Sequence, residues 1–346
     1  MPLLSHTFLR DYLSQHLLRV NVAAEVASVV ANNLVEASLK GHDSHGVTLL
    51  PRYIEAIRVG ELDPQATLRL TRDEGALLSF QGDRGFGQVL GREAMIHGIE
   101  RARQFGVAVV GLAQSHHLGR IGEFAEQIAD AGLISIHFAN VASRPVVLPF
   151  NGLSPRFGTN PFCVGIPVED QPPLILDFAT SMIAGNKARI AWNEGRTIPP
   201  GCAVDNEGNP TEDPRWLVQE PFGSLLAFGG HKGAGLALVC SLLGAALTGG
   251  ESERLKKSKG AGVVNSMLSL IINPELLGGG PEWQQELIAQ LQWTREGHGE
   301  RDVLLPGEAE RRHQQQRLVD GIDVDDVSWR QFLALENASR PEVSHF

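Results

Sequence analysis

Gly82-Asp83-Arg84-Gly85-Phe86-Gly87-Gln88-Val89-Leu90-Gly91 separates a short apolar strand, Ala76–Phe80, from a helical stretch, Arg92–Gln104, that leads into a second strand, Val107–Leu112. Read as a dinucleotide fingerprint, Gly85-x-Gly87-x-x-x-Gly91 would make the chain a doubly wound parallel α/β protein. Two features argue against that reading. The fingerprint needs its first glycine directly off the strand, whereas Gly85 comes five residues after Phe80. The second strand runs out into Leu112-Ala113-Gln114, with no carboxylate to hold a ribose. The stretch reads better as a glycine turn before a helix, so any nucleotide site has to be sought elsewhere.

Upstream of it, Val22–Lys40 reads as a helix. Val22, Val26, Val29, Val30 and Leu34 recur at helical spacing, Asn21 suits the N-cap and Gly41 the C′ position. A second helix is expected from about Val47–Leu50 to Arg58, because Pro51 is tolerated only in a first turn, with Gly60 closing it. Between the two lies Gly41-His42-Asp43-Ser44-His45-Gly46: two imidazoles, a carboxylate and a hydroxyl on a loop bracketed by glycine. Titratable groups mounted in this way stay accessible while held in place, which suits acid–base work. His45 would sit just before the positive end of the second helix, where an imidazolium gives up its proton more readily.

Downstream, Val107–Leu112 runs into Gln114-Ser115-His116-His117-Leu118-Gly119-Arg120-Ile121-Gly122 and then a helix of about Glu123–Ala131. A polar loop between a strand and a helix N-terminus offers free backbone N–H groups, and with Arg120 it is a candidate anion cradle; the plain alternative is a solvated arginine. After a strand at Leu133–Phe138 and an irregular Pro- and Gly-rich stretch, the strand Leu174–Leu176 ends in Asp177-Phe178-Ala179-Thr180-Ser181. These polar groups either meet a ligand or cap the next helix. Ile198–Pro210 reads as consecutive turns forming a hairpin. Gly229-Gly230-His231-Lys232-Gly233-Ala234-Gly235 opens an apolar helix to Leu247, where His231 and Lys232 could meet a carboxylate or phosphate. Ser252–Lys259 reads as a charged, solvated loop, Val263–Ile272 as an apolar run ending in Asn273-Pro274, and Glu282–Trp293 as a helix. Charged helices and a frayed C-terminus complete the chain.

Composition bounds the function. With 346 residues, 42% hydrophobic and 20% charged, the chain can bury a large core in two or three lobes. A formal charge of −10 argues against nucleic-acid binding and against docking on anionic membranes. No apolar run approaches the roughly 20 residues of a membrane span, and no secretory signal opens the sequence. Three cysteines with no CxxC spacing are expected to be reduced, as in a cytoplasm. A metal-dependent lyase or hydrolase using His42, His45, His117 and His231 would need tighter ligand spacing than His-x-x-His on a loop. A binding protein without chemistry is the remaining rival.

Taken in order, Gly41–Tyr53, His117–Gly122, Arg156–Pro161, Leu176–Ser181, Gly201–Pro214, His231–Gly235 and Leu305–Glu308 resemble the malate/L-lactate dehydrogenase family that is unrelated to the Rossmann-type enzymes. The likeness is greatest to its hydroxycarboxylate dehydrogenases. It rests especially on Gly41–Gly46, Ser115–Gly122, Arg156–Cys163 and Pro199-Pro200-Gly201-Cys202. The resemblance implies a homodimeric nicotinamide-dependent oxidoreductase, using NAD or NADP, that interconverts 2-hydroxy and 2-oxo carboxylates; reduction of a cyclic imine or a ureidoglycolate-type substrate is the alternative within the family. It implies an α/β fold with a largely antiparallel central sheet that binds the cofactor, plus a helical lobe. Residues 1–112 would form the N-terminal helical and catalytic lobe, 113–300 the cofactor-binding lobe, and 301–346 helices packing back on the first. The proton donor falls on His45. Cofactor contacts fall on His45, Gly119, Arg120, Ile121, Leu176, Asp177, Phe178, Ala179, Thr180, His231, Lys232, Asn273, Leu305, Pro306, Gly307 and Glu308. Substrate contacts are assigned to Ser44, Arg52, His117 and Asn160, and no metal is implied. Where many malate- and lactate-type members carry an arginine suited to a second carboxylate, this chain has Leu49, which leaves Arg52 or Lys232 to hold the substrate carboxylate.

Overall fold

The computed structural model describes residues 2–255, 262–280, 282–296 and 302–338; the C-terminal residues expected to fray and the last part of the charged stretch Ser252–Lys259 lie outside them. The chain begins with β1 (Leu3–Leu4), α1 (His6–Arg19), α2 (Ala24–Leu39) and α3 (Leu50–Arg58). Ser5 caps α1 by accepting from the Phe8 N–H, and Pro51 sits in the first turn of α3, where its missing N–H costs nothing. Asn21 does not cap α2. It takes a left-handed conformation, φ +62°, and the helix starts three residues later. Leu9, Leu13, Leu17, Val30, Leu34, Leu50 and Tyr53 from these helices meet in one core, which Ile322 and Phe332 near the other end of the chain complete.

The next elements are β2 (Arg69–Glu74), β3 (Leu77–Gln81), α4 (Gly87–Phe105), β4 (Val107–Ser115), α5 (Gly122–Asp130), β5 (Ile134–Ala142), β6 (Phe162–Val168) and β7 (Gln171–Phe178). After them come α6 (Gly185–Asn193), β8 (Ala203–Val204), β9 (Pro210–Thr211), α7 (Arg215–Val218), β10 (Ser224–Leu225) and α8 (His231–Cys240), with β8 and β9 forming the expected hairpin. A π-type turn at Ser241–Ala246 prolongs α8, and β11 (Val264–Ile272), α9 (Glu282–Arg295), α10 (Glu308–Asp320), β12 (Ile322–Asp323) and α11 (Asp326–Ala338) complete the order. The seven-stranded sheet runs β2-β3-β4-β11-β5-β6-β7, and every neighbouring pair is antiparallel except β3 and β4. The largely antiparallel sheet is therefore as read. Its one parallel pair is the strand–helix–strand unit around the glycine run, with α4 as crossover.

Within that unit the helix starts at Gly87, five residues before the expected Arg92, because the glycines belong to its first turns. What they approach explains them. A Cβ on Gly85 would lie 2.9 Å from Ala66, on Gly87 2.6 Å from the carbonyl oxygens of both His116 and His117, and on Gly91 2.5 Å from the Phe124 ring. The space that a fingerprint would give to a pyrophosphate is filled by the protein itself. α4 and α5 bury Leu90, Met95, Phe124 and Ile128 against Val110, Leu112, Met267 and Ile271 of the sheet in a second core.

The polypeptide closes on itself. β12 pairs with β1, joining Leu3 to Asp323 and Leu4 to Ile322, while α10 lies on α2 and α11 on α3. One stretch departs from expectation. Glu253 is buried, and its carboxylate accepts from the Gly158 N–H at 2.9 Å, Asn160 Nδ2 at 2.7 Å and Ser241 Oγ at 3.0 Å. A buried carboxylate costs little only when its oxygens are satisfied in this way, so the start of Ser252–Lys259 is an anchor and not a solvated loop. Among the described residues no helix is long and apolar enough to cross a membrane.

Candidate active site

α2 ends on Gly41, whose φ of +78° lets the chain reverse while the His42 N–H bonds back to Ala37 at 2.9 Å. A single 3₁₀ turn, Asp43–His45, follows, and a second, Val47–Leu49, stands between His45 and α3. The loop is tied down from several sides. Val47 N–H donates to Ser38 Oγ at 3.1 Å, Arg317 of α10 grips the Asp43 carboxylate at 2.6 and 3.0 Å, His42 meets Glu310 at 3.4 Å, and Asn186 of α6 donates to the Ser44 carbonyl at 3.0 Å. His45 Nδ1 lies 2.9 Å from Ser44 Oγ. Its pKa is lowered to about 3, mainly by burial and then by the charges of His42, Lys187 and Arg120. The direction matches the expectation from sequence, but the cause is burial and nearby cations rather than the start of α3.

Opposite His45, the end of β4 supplies His117. The two imidazoles stack with centroids 5.5 Å apart at 18°. His117 Nδ1 is 2.6 Å from the Tyr53 hydroxyl, and Gln88 Nε2 donates to that hydroxyl at 2.7 Å. Burial, followed by the neighbouring His45 and His116, pushes the His117 pKa well below its ordinary value. His116 is buried behind it, edge-on to Tyr53 at 5.5 Å, with neither ring nitrogen hydrogen-bonded and its pKa lowered to about 3.

Beyond His117 the chain turns through Gly119, φ +77°, where a Cβ would strike Asn33 Oδ1 at 2.6 Å. The backbone N–H groups of Gly119, Arg120 and Ile121 donate to no acceptor among the described residues, whereas the next, Gly122 N–H, is capped by Asp177 Oδ2 at 2.7 Å. Successive open N–H groups make a concave nest for an anion. The Arg120 guanidinium is not part of that opening. It is 3% exposed and bound to Glu126 at 2.5 Å, and Glu126 also takes Lys40 at 2.7 Å. Burial alone would lower the Arg120 pKa, but Glu126 and Asp177 raise it.

These elements enclose a cleft of about 850 Å³, within the roughly 300–1,000 Å³ usual for ligand sites. Ser44, His45, Arg52, His117, Gly119, Arg120, Ile121 and the strand end Leu176–Ala179 all line it. Other residues singled out from sequence lie elsewhere. Thr180 is buried behind the wall, donating to the Thr159 carbonyl at 2.9 Å. The Asn160 amide is spent on Val141, Ala237, Ser241 and Glu253, so it holds the floor together without lining the cleft. His231 and Lys232 are exposed at the start of α8, with His231 against Phe150. Asn273 caps a 3₁₀ turn at the far end of β11 from the cleft. Leu305–Glu308 runs beside β7, where the Ile175 N–H meets the Pro306 carbonyl, and Glu310 farther along α10 reaches the cleft wall.

Several lining residues were not anticipated. Lys187 and Arg189, on α6, enter the cleft and make no ion pair or side-chain hydrogen bond among the described residues. The signal available was their place just after the polar strand end Asp177–Ser181. Arg144 also lines it, stacked on Phe222 at 3.7 Å. Asn265 links the His117 loop to the sheet by accepting from the Leu118 N–H at 2.9 Å and donating to the Asn140 carbonyl at 2.9 Å. Among the described residues no three His, Cys, Asp or Glu side chains converge as metal ligands would.

Comparison with known proteins places this geometry. The profile of a family described as malate/L-lactate dehydrogenase matches residues 4–333. The chain is 44% identical to hydroxycarboxylate dehydrogenase B of Escherichia coli K12 over 330 residues, 94% of this chain and 90% of that one. It is 38% identical to an L-lactate dehydrogenase of Cupriavidus necator, over 94% and 95% of the two chains. A solved E. coli structure assigned to the malate/lactate dehydrogenases superposes with a TM-score of 0.94 at 40% identity, covering 99% of this chain and 97% of the other.

Proposed function

Since this chain belongs to the malate/L-lactate dehydrogenase family, an oxidoreductase acting on 2-hydroxy acids, we propose that it interconverts 2-oxo and 2-hydroxy carboxylates with a nicotinamide cofactor, NAD or NADP, and that His45 carries the proton. The observation that supports this most is the pairing of His45 and His117 in a cleft that has an anion nest on one wall and cations on another.

The cleft suits the cofactor. The open N–H groups of Gly119, Arg120 and Ile121 would receive its diphosphate, and Asp177, Phe178 and Ala179 would flank its nicotinamide end. When bound, the cofactor supplies or accepts the hydride. The substrate carboxylate is held by Arg52 together with Lys187 and Arg189, since Lys232 lies outside the cleft. His45 is neutral in the free protein. Incoming carboxylate and phosphate charges stabilise its protonated form, so anion binding primes it as an acid. It then delivers its proton to the carbonyl oxygen, and in the oxidative direction the neutral imidazole takes the hydroxyl proton. A homodimeric, cytoplasmic enzyme is part of the same proposal. The exposed apolar Leu238, Val239, Leu242 and Leu247 along and beyond α8 favour a covered face there.

The test is NADH and NADPH oxidation against aliphatic, aromatic and dicarboxylic 2-oxo acids and a cyclic imine carboxylate. At least one 2-oxo acid should be reduced, and His45→Ala should lower turnover about 10²–10⁴-fold with cofactor affinity retained. A variant that turns over normally would remove His45 from the mechanism. Turnover of the imine alone would shift the substrate class.

A further inference from the structure

We propose that Tyr53, held by Gln88, sets the tautomer of His117 so that its Nε2 carries the ring proton, making His117 a hydrogen-bond donor to the reacting oxygen and leaving proton transfer to His45. This rests on the reading of the cleft as the site of 2-oxo acid reduction.

The argument is one of counting protons. Gln88 and Tyr53 are each 1% exposed, so their polar atoms are satisfied by protein or not at all. The Gln88 amide nitrogen can only donate, and it lies 2.7 Å from the Tyr53 hydroxyl oxygen. That oxygen is therefore an acceptor toward Gln88, and the single phenolic proton is left for its other partner, His117 Nδ1, at 2.6 Å. A ring nitrogen that accepts cannot carry a proton in the neutral imidazole, so the proton resides on Nε2. Burial of the phenol raises its pKa, so it keeps the proton it donates.

The two histidines thereby divide the work. As the carbonyl oxygen gains negative charge, His45 transfers its proton to it, with an N–H bond breaking and an O–H bond forming. His117 keeps its proton and stabilises the charge by a hydrogen bond alone. Tyr53 and Gln88 touch no reacting atom; they are positioning residues. The opposite arrangement is well defined. With the Gln88 amide reversed, its oxygen would take the phenolic proton, Tyr53 would accept from His117 Nδ1–H, and His117 Nε2 would be a base.

Nitrogen-15 NMR of histidine-labelled protein decides between them without turnover, with the His117 resonances assigned by their loss in His117→Gln. The expected result is a pyridine-type Nδ1 and a pyrrole-type Nε2, with both tautomers populated in Tyr53→Phe. Turnover with the best 2-oxo acid should fall in Tyr53→Phe in proportion to the Nε2–H tautomer lost, about twofold where the two are equally populated, while the cofactor KM stays unchanged. Gln88→Leu, which removes the upstream donor and leaves Tyr53 in place, should shift the tautomer in the same sense. A protonated Nδ1 in the wild-type protein overturns the proposal. So does an unchanged tautomer in both variants. A wild-type protein that reduces no 2-oxo acid overturns the functional reading instead, and the NMR result tells the two failures apart.

Discussion

Lowering the pH from 7 to 5 should weaken this fold steeply, because buried histidines are neutral in it: His45 and His117 of the cleft, and two more that are wholly enclosed. His137 sits on β5 between Ser269 Oγ at 2.8 Å and Ser135 Oγ at 3.0 Å, and His116 sits behind Tyr53 with no hydrogen bond. Burial lowers the pKa of each to about 3. In the unfolded chain each returns to about 6.5. A folded-state pKa depressed in this way means that the stability is complete above pH 6.5 and is lost as the pH falls toward 3, since only the unfolded chain can take up the protons. At pH 5 each histidine costs about 2 kcal/mol, and the pair about 4 kcal/mol, from 1.36 kcal/mol for each unit between 6.5 and 5. That is a large share of the 5–15 kcal/mol typical of a whole domain. Urea unfolding at pH 7, 6 and 5, at one protein concentration, measures it. His137→Asn can still bond to a serine but cannot titrate. It should be less stable at pH 7, yet lose about 2 kcal/mol less than wild type on going to pH 5. A wild-type protein equally stable at both pH values would refute the reasoning, as would a variant with an undiminished slope.

Three further outcomes follow from the geometry. Gly87→Ala places a methyl group against the carbonyl oxygens of His116 and His117; it should cost about 1–3 kcal/mol of stability and lower turnover by moving His117, which paired urea and steady-state measurements would show. Lys187→Met should raise the KM for the 2-oxo acid about tenfold with little effect on cofactor KM, the loss of a charged hydrogen-bond partner; an unchanged KM would remove Lys187 from the carboxylate site. Arg317→Met frees the Asp43 carboxylate and should lower turnover more than it lowers melting temperature, read by kinetics beside calorimetry.

The parts of this protein that were legible in sequence are those governed by local chemistry. Pro51 and Gly41 mark helix boundaries because their backbone geometry admits few alternatives, and the misplaced fingerprint glycine, with no carboxylate after the next strand, argued against a nucleotide site at the glycine run. What was not legible depends on residues far apart in the chain. The first turn of α4 was missed because glycine lowers helix propensity, while the reason for the glycines, the His116–His117 carbonyls, becomes visible only in three dimensions. Glu253 looked like one charge among many. Its partners at 158, 160 and 241 come together only when the sheet and α8 assemble. Arg120 pointed to an anion cradle built on its side chain; in the structure the backbone N–H groups around it are open and the guanidinium itself is engaged.

The closure of the two chain ends has a consequence in time. His45 precedes every strand of the central sheet, but Glu310 and Arg317, which hold its loop, are synthesised more than 260 residues later. Until then the loop lacks its ties to α10, and β1 has no partner strand. A nascent chain can thus complete its central sheet, whose last strand ends at Ile272, well before the His45 loop is fixed. The ties of the His45 loop to α10 thus form only after the sheet is complete, so a product terminated just before α10 would fold much of its sheet and leave that loop unanchored.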